Sequence, residues 1–169
     1  MNHKQYIHAW ILEQEDLGLV FDMTCGNGHD TLFLAEHAKE VVAVDIQMSA
    51  IEATKKRTER YTNVRFIHAS HDTVHFDKTQ AITGAIYNLG YLPGSDKETI
   101  THKHTTVQSL KNIIPHLTHF LVVSCYRKHQ GGNEEYTAVK SYLESLNLNI
   151  EVFYYEVPLS PVTFLIKFK

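Results

Sequence analysis

Cysteine is scarce in this chain, with 2 among 169 residues, at Cys25 and Cys125. Two thiols make no disulfide framework, which excludes a small stapled secreted domain. Proline (4 residues) and glycine (8) are also few, so the chain holds neither a collagen-like repeat nor a proline-rich linker. No apolar run approaches the ~18 residues that a membrane span needs. Residues 1–16 carry His3, Lys4, Glu13, Glu15 and Asp16, unlike the apolar stretch of a secretory leader. An excess of one charge is missing as well: 16 Lys and Arg against 19 Asp and Glu leave a net charge of −3. That balance argues against a broad non-specific nucleic-acid binder and leaves room for a local basic patch that reads RNA. The absences together lead us to expect one soluble, cytoplasmic domain over residues 1–169, with free thiols and no membrane contact. Histidine, by contrast, is abundant at 12 residues, which makes the charge pH-dependent. Its spacing fits no zinc pattern, so no metal is expected.

What the sequence does contain is alternation. Tyr6, Ile7, Trp10 and Ile11 stand at helical spacing and predict a helix over 2–15. An apolar run over 17–23 predicts a strand, and a helix over 30–38 follows with Asp30 as its cap. A strand over 41–45 reads as buried on both faces. A charged helix over 48–61 and strands over 64–69 and 81–88 come next. A loop over 89–100 holds Gly90, Pro93 and Gly94. Beyond it we predict a helix over 101–117, a strand over 120–125, a helix over 133–146 and strands over 151–157 and 162–169. The join between the last two is too short for a crossover, which makes them antiparallel neighbours. The expected architecture is α/β: a mostly parallel seven-stranded sheet, helices on both faces, and a closing antiparallel hairpin.

The segment Asp22-Met-Thr24-Cys25-Gly26-Asn27-Gly28-His-Asp30-Thr31 carries the most chemistry. It follows a predicted strand and opens a predicted helix, the setting that gives a glycine fingerprint meaning. Gly26 and Gly28 remove side chains where a ligand must touch backbone. Thr31 stands where a dinucleotide fingerprint has its third glycine, and Asp22 would repel a pyrophosphate. Both features depart from the NAD pattern. An acid there suits a cofactor with an ammonium group, and a helix start suits that cofactor's carboxylate. S-adenosylmethionine has both. The next strand ends at Asp45-Ile46-Gln47, where a carboxylate can accept hydrogen bonds from ribose hydroxyls. The third strand runs out into Ser70-His71-Asp72, where a carboxylate can receive an adenine amino group. Each acid alone reads equally as a helix cap, but three at successive strand ends share one edge of the sheet.

The fourth strand leads into Asn88-Leu-Gly90-Tyr91-Leu-Pro-Gly94. A polar Asn before a Gly/Pro turn and an aromatic is similar to the Asn-Pro-Pro-Tyr motif of amine and base N-methyltransferases. There the Asn and loop carbonyls accept hydrogen bonds from the attacking amine. Asn88 and Tyr91 are therefore the candidate catalytic residues, with an ordinary strand-to-helix turn as the plainer alternative. Lys97 and Lys103 form a small basic cluster with nearby histidines. Tyr126, Arg127 and His129 join cations to an aromatic, which suits a phosphate and a stacked base, although a solvated polar loop reads the same way. Cys25 has the chemistry of a nucleophile for carbon methylation, but its place inside the glycine loop points to packing. Trp10, Tyr154 and Tyr155 read as core or edge packing.

With these segments in this order, the chain resembles the YtqB/MnmM family of small bacterial class I methyltransferases. The resemblance implies a Rossmann-like, S-adenosylmethionine-dependent enzyme. Its substrate would be the wobble uridine of a tRNA anticodon stem-loop, with the 5-aminomethyl nitrogen (2-thio or not) converted to 5-methylaminomethyl. It also implies that Asp22, Gly26, Asn27, Asp45, Gln47, His71 and Asp72 hold the cofactor. The motifs add Thr24, Cys25, Gly28, Asp30, Thr31, Ile46 and Asn88 to that set. Asn88 and Tyr91 would face the modified base, while Gly90, Lys97, Lys103, Tyr126, Arg127 and His129 would contact the RNA. Asp72 stands where the family commonly has Glu. Methylation of an rRNA base, or of a small amine on the same fold, is the alternative, and a homodimer through the final strands is compatible with the sequence.

Overall fold

A computed structural model describes residues 1–90, 103–128, 131–158 and 160–168. Its sheet comprises β1 (Leu19–Asp22), β2 (Glu40–Asp45), β3 (Val64–His68), β4 (Ile82–Leu89), β5 (Leu117–Cys125), β6 (Asn149–Phe153) and β7 (Val162–Lys167). The strand order is β3-β2-β1-β4-β5-β7-β6. The first five strands run parallel, and β7 lies antiparallel to both β5 and β6. The expected closing hairpin is present, with β7 inserted between β5 and β6.

Helices α1 (His3–Leu12), α2 (His29–His37), α3 (Met48–Arg57), α4 (Lys103–Ile113) and α5 (Gly132–Ser145) cover the two faces. Strand periodicity sorts the core between them. Val20, Val41, Ile86 and Val122 pack with Ile7, Trp10, Ile11 and Leu34 on the side of α1 and α2. Their neighbours Phe21, Val42, Tyr87 and Val123 pack with Leu110, Ile113, Val139 and Leu143 on the side of α4 and α5. Trp10 is thus core, as expected, and Tyr154 and Tyr155 lie exposed beyond the end of β6.

Helix α1 starts with a capping box. The Asn2 side chain accepts from the Gln5 amide, and the Gln5 side chain accepts from the Asn2 amide. Cross-chain contacts then fix the helix on the sheet. Tyr6 stacks on Phe153 with centroids 3.9 Å apart, and His3 shares a 2.6 Å hydrogen bond with Thr163 of β7. Gly84 on β4 is required by close packing, because a Cβ there would lie 2.1 Å from the Phe120 ring.

Several boundaries differ from those expected. Helix α3 ends at Arg57, not Tyr61, where the Thr58 hydroxyl donates to the Thr54 carbonyl. Helix α4 stops at Ile113, and Pro115 sits in a single 3₁₀ turn, Ile114–His116, that leads into β5. Strand β6 starts two residues earlier than expected and ends at Phe153, so 154–157 leave the sheet.

Candidate active site

The glycine loop lies between β1 and α2. Its backbone is threaded into the sheet edge: the Met23 amide donates to the Ile86 carbonyl and the Cys25 amide to the Val44 carbonyl, each at 2.9 Å. Gly26 and Gly28 both have positive φ, at 53° and 87°. A Cβ on Gly28 would also meet the Thr54 backbone at 2.9 Å. The loop therefore needs glycine at that position for two independent reasons. From α3, the Thr54 hydroxyl donates to the Gly26 carbonyl at 3.1 Å, and Arg57 Nε donates to the Asn27 carbonyl at 2.8 Å. Gly28, not Asp30, occupies the N-cap position of α2, which corrects the expected cap. A left-handed residue can turn the chain into the helix there without a side-chain acceptor, and this frees the Asp30 carboxylate for other contacts.

Asp22 is fully buried at the end of β1. The Thr31 hydroxyl donates to one of its oxygens at 2.7 Å, and the Thr24 amide approaches the other at 3.4 Å. Thr31 thus takes the place of a third glycine because its hydroxyl is the partner of this acid. Burial, together with the charges of Asp30 and Asp45, pushes the Asp22 carboxyl up to about 7. Asp45, at the end of β2, accepts the Gly26 amide at 3.0 Å on one oxygen and the Gln47 amide at 2.9 Å on the other. Each oxygen keeps a second lone pair, so the carboxylate still has acceptor capacity at the sheet edge. Ile46 beside it is 56% exposed, the position of an apolar side chain that can lie against a flat ring. Three acidic side chains, Asp22, Asp30 and Asp45, thus surround one loop.

Beyond the loop, between α1 and the ends of β4, β5 and β7, lies a cavity of about 390 Å³. Asn2, His3, Lys4, Asp30, Asn88, Ser124 and Tyr126 supply its polar lining, and Ile7, Ile86, Val122 and Pro161 its apolar lining. The Asn88 amide N–H donates to Thr24 Oγ1 at 2.6 Å, which ties the end of β4 to the glycine loop. Asn88 Nδ2 donates to Asp30 Oδ2 at 2.7 Å. A carboxylate can only accept here, so this contact fixes which way the Asn88 amide faces and leaves its oxygen as the acceptor it can offer a ligand. Asp30 Oδ1 is 2.7 Å from His8 Nε2 and 3.8 Å from Lys4 Nζ. Burial acts to raise the Asp30 carboxyl, but the hydrogen bonds and charges of His8, Lys4 and Asn88 outweigh it and hold the group below the usual carboxylate range. Sequence reasoning assigned roles to Asp30 and Asn88 but missed Lys4 and His8. Their signal was a cation and an imidazole four residues apart on one helical face.

The remaining expected residues fall in three groups. His71 is buried, with its ring edge-on to Tyr87 and its Nδ1 without a hydrogen-bond partner among the described residues, and burial lowers its pKa to about 4. Asp72 holds the Ser70 hydroxyl, and its own carbonyl accepts from Asn112. Both lie beyond β3 on the same edge as Asp45. Arg127, expected to contact the RNA, is held by the chain on one side. Its guanidinium donates to the Ser160 carbonyl at 3.1 Å and lies over the Tyr136 ring. Tyr126 is 39% exposed and joins the cavity wall, its phenol raised by burial and by the Asp30 charge. Gly90 packs against it, since a Cβ there would meet the Tyr126 side chain at 3.4 Å. Lys103 is exposed at the start of α4. Tyr91, Lys97 and His129 lie outside the described residues. Cys25 and Cys125 are buried and burial pushes both thiols up, so neither is a thiolate available to attack a pyrimidine ring. Among the described residues no group of three His, Cys, Asp or Glu is placed to hold a metal ion, and no helix is long and apolar enough to cross a membrane.

A seven-stranded sheet of this order, with a glycine loop after β1 and acids at the ends of β1 and β2, defines the Rossmann-like class I methyltransferase fold. Residues 41–161 match the family described as "Putative rRNA methylase", and the chain belongs to that family. A "putative methyltransferase" of Streptococcus mutans, solved in complex with SAH, superposes with a TM-score of 0.88 at 29% identity, over 99% of this chain and 98% of that one. A structure described as a "putative rRNA-methylase" from Clostridium thermocellum gives 0.87 at 27% identity, over 99% and 97%. The chloroplastic tRNA (mnm(5)s(2)U34)-methyltransferase of Arabidopsis thaliana is 31% identical over 141 residues, 73% of this chain and 52% of that protein. The chain thus spans about half the length of that curated relative.

Proposed function

We propose that the protein transfers a methyl group from S-adenosylmethionine to the 5-aminomethyl nitrogen of the wobble uridine in tRNA. The observation that carries this reading is the cavity beside the glycine loop, where an ionised carboxylate (Asp30) and an aimed amide oxygen (Asn88) meet an aromatic wall (Tyr126). A carboxylate suits a cationic amine, the amide oxygen suits its N–H groups, and the phenol ring suits a base. The plant relative, by its name a tRNA (mnm(5)s(2)U34)-methyltransferase, supports a reaction of this kind.

The glycine cradle and its acids fit the cofactor. Gly26 and Gly28 leave two positions of the loop without side chains, Asp45 retains acceptor capacity, and Ile46, Gln47, His71 and Asp72 lie along the same edge. When bound, S-adenosylmethionine supplies a methyl group activated by its sulfonium. The protein's own part is positioning. Asn88 orients the amine lone pair, and Thr24 and Asp30 hold Asn88 in place. Bringing two bound reactants into line can supply several kcal/mol of the acceleration.

The test is nucleoside mass spectrometry of tRNA from cells lacking this gene, after incubation with pure protein and S-adenosylmethionine. The expected result is loss of the 5-aminomethyl nucleoside and an equal gain of a product one methylene heavier. Unchanged tRNA alongside methylated rRNA would replace this reading with the rRNA one. Asn88→Ala should lower turnover by about 100-fold while cofactor affinity, measured by calorimetry, changes little.

A further inference from the structure

Asn88 and Ser124 are register partners on β4 and β5, and Ser124 pairs in turn with Thr163 on β7. Neighbouring strands lie about 4.8 Å apart, so the three residues form one polar row, of which Asn88 and Ser124 line the cavity. The row continues off the sheet. Ser124 Oγ is 2.8 Å from Thr163 Oγ1, and His3 Nε2 on α1 is 2.6 Å from that same hydroxyl. Each link has a direction. Burial lowers the pKa of His3, so its ring is neutral at pH 7 and carries one N–H. Its Nδ1 is buried without a hydrogen-bond partner among the described residues. A buried N–H without an acceptor is rarer than an acceptor without a donor, which places the proton on Nε2 and makes it the donor to Thr163. Thr163 is fully buried and has one hydrogen to give, which goes to Ser124 Oγ. The Ser124 hydrogen is left for whatever fills the cavity.

The cavity wall thus presents an acceptor, the Asn88 amide oxygen, beside a donor, the Ser124 hydroxyl. We propose that Ser124 reads the base: its hydroxyl donates to the carbonyl at C4 of a uracil ring while Asn88 accepts from the aminomethyl arm at C5. This deepens the function proposed above and rests on it. The two substrate groups stand on adjacent ring carbons, one a donor and one an acceptor, in the order that matches the wall. Cytosine carries an amino group at C4, so in 5-aminomethylcytidine a donor would face the Ser124 donor. Ser124 is almost fully buried, and an unmatched donor is costly in such a place. Reversing the chain to accept the amino group would move the ring proton of His3 to Nδ1, where no acceptor stands among the described residues. His3 and Thr163 act through Ser124 and are positioning residues.

The test compares methylation of two anticodon stem-loops that carry 5-aminomethyluridine or 5-aminomethylcytidine at the wobble position. The wild type should favour the uridine RNA by about 10- to 100-fold in kcat/KM. Ser124→Ala should slow the uridine RNA about 10-fold and bring the two RNAs within about threefold of each other. Thr163→Val keeps the shape at its position and leaves Ser124 in place. It should also narrow the preference, because Ser124 is then free to accept as well as donate. A merely structural role for Thr163 would slow both RNAs alike and leave their ratio untouched. Thermal unfolding and calorimetry with S-adenosylmethionine check that each variant is folded and binds the methyl donor. If Ser124→Ala does not fold, the ratio in Thr163→Val still decides. An unchanged ratio in Ser124→Ala, or no preference in the wild type, overturns base reading by Ser124. An unchanged ratio in Thr163→Val alone overturns the chain that aims it. A wild type that methylates neither RNA removes the amine substrate itself, and base reading with it.

Discussion

Asp22 and His71 are both buried, and folding shifts their protonation in opposite senses. The Asp22 carboxyl is raised from 3.8 to about 7, so the folded state holds a proton there that the unfolded chain has lost. Its contribution to stability is therefore present below about pH 3.8 and is lost as pH climbs toward about 7. His71 is lowered from 6.5 to about 4, so its contribution is present above about pH 6.5 and is lost as pH falls toward about 4. The His71 shift corresponds to something on the order of 3 kcal/mol. Between those limits the two slopes oppose one another, and the wild type should be nearly level in stability. Asp22→Asn should leave the His71 slope alone, giving stability that rises with pH. His71→Asn should give stability that falls. Urea unfolding midpoints across that window decide the matter, and parallel profiles for the two variants would refute the assignment. At this scale the sequence was legible where chemistry dictated a residue type, as at Asp22 and Asp45. It was not legible where a contact depends on docking. His8 and Asp30 are 22 positions apart and meet only because α1 packs across the sheet edge.

Elements were legible in proportion to their periodicity. The buried parallel strands carry continuous apolar runs: β2 lies where its run predicts, whereas β5 starts three residues before the expected strand, at Leu117. Helix ends were less so, because a single hydroxyl or proline decides them, as Thr58 and Pro115 do here. The start of α2 differs from the expected one because an acid within the first turn of a helix resembles a cap, and only the left-handed backbone of Gly28 shows otherwise. The pairing of β4 with β5 depends on a detail that no propensity reports: Phe120 fills the space that Gly84 leaves. Gly84→Ala should therefore destabilise the protein by about 1–3 kcal/mol through overpacking. Adding Phe120→Leu should recover part of the loss, since the two sites are in contact and their effects are coupled. Thermal unfolding of the two single variants and the double variant checks this, and strict additivity would mean the clash is relieved elsewhere.

On the scale of the whole molecule, a net charge of −3 has to be reconciled with the RNA substrate proposed above. Lys55, Lys56, Arg57 and Arg60 gather on and just after α3, while the cavity mouth holds Lys4. Phosphate contacts made by such groups release counterions, so methylation of tRNA should weaken steeply as salt rises, with log affinity falling linearly in log salt. Methylation of the free 5-aminomethyl nucleoside should be far less sensitive. Initial rates on the two substrates across a salt series make the comparison, and equal sensitivity would point to a small-molecule enzyme.

The three acids around the glycine loop repel one another, and that repulsion is a discriminating device. A positively charged guest relieves it and a neutral guest does not. On the proposed reaction the methyl donor arrives as a sulfonium and departs as an uncharged thioether. That loss of charge should weaken the loop's hold on the spent donor, and competition binding of S-adenosylmethionine against its demethylated product measures it.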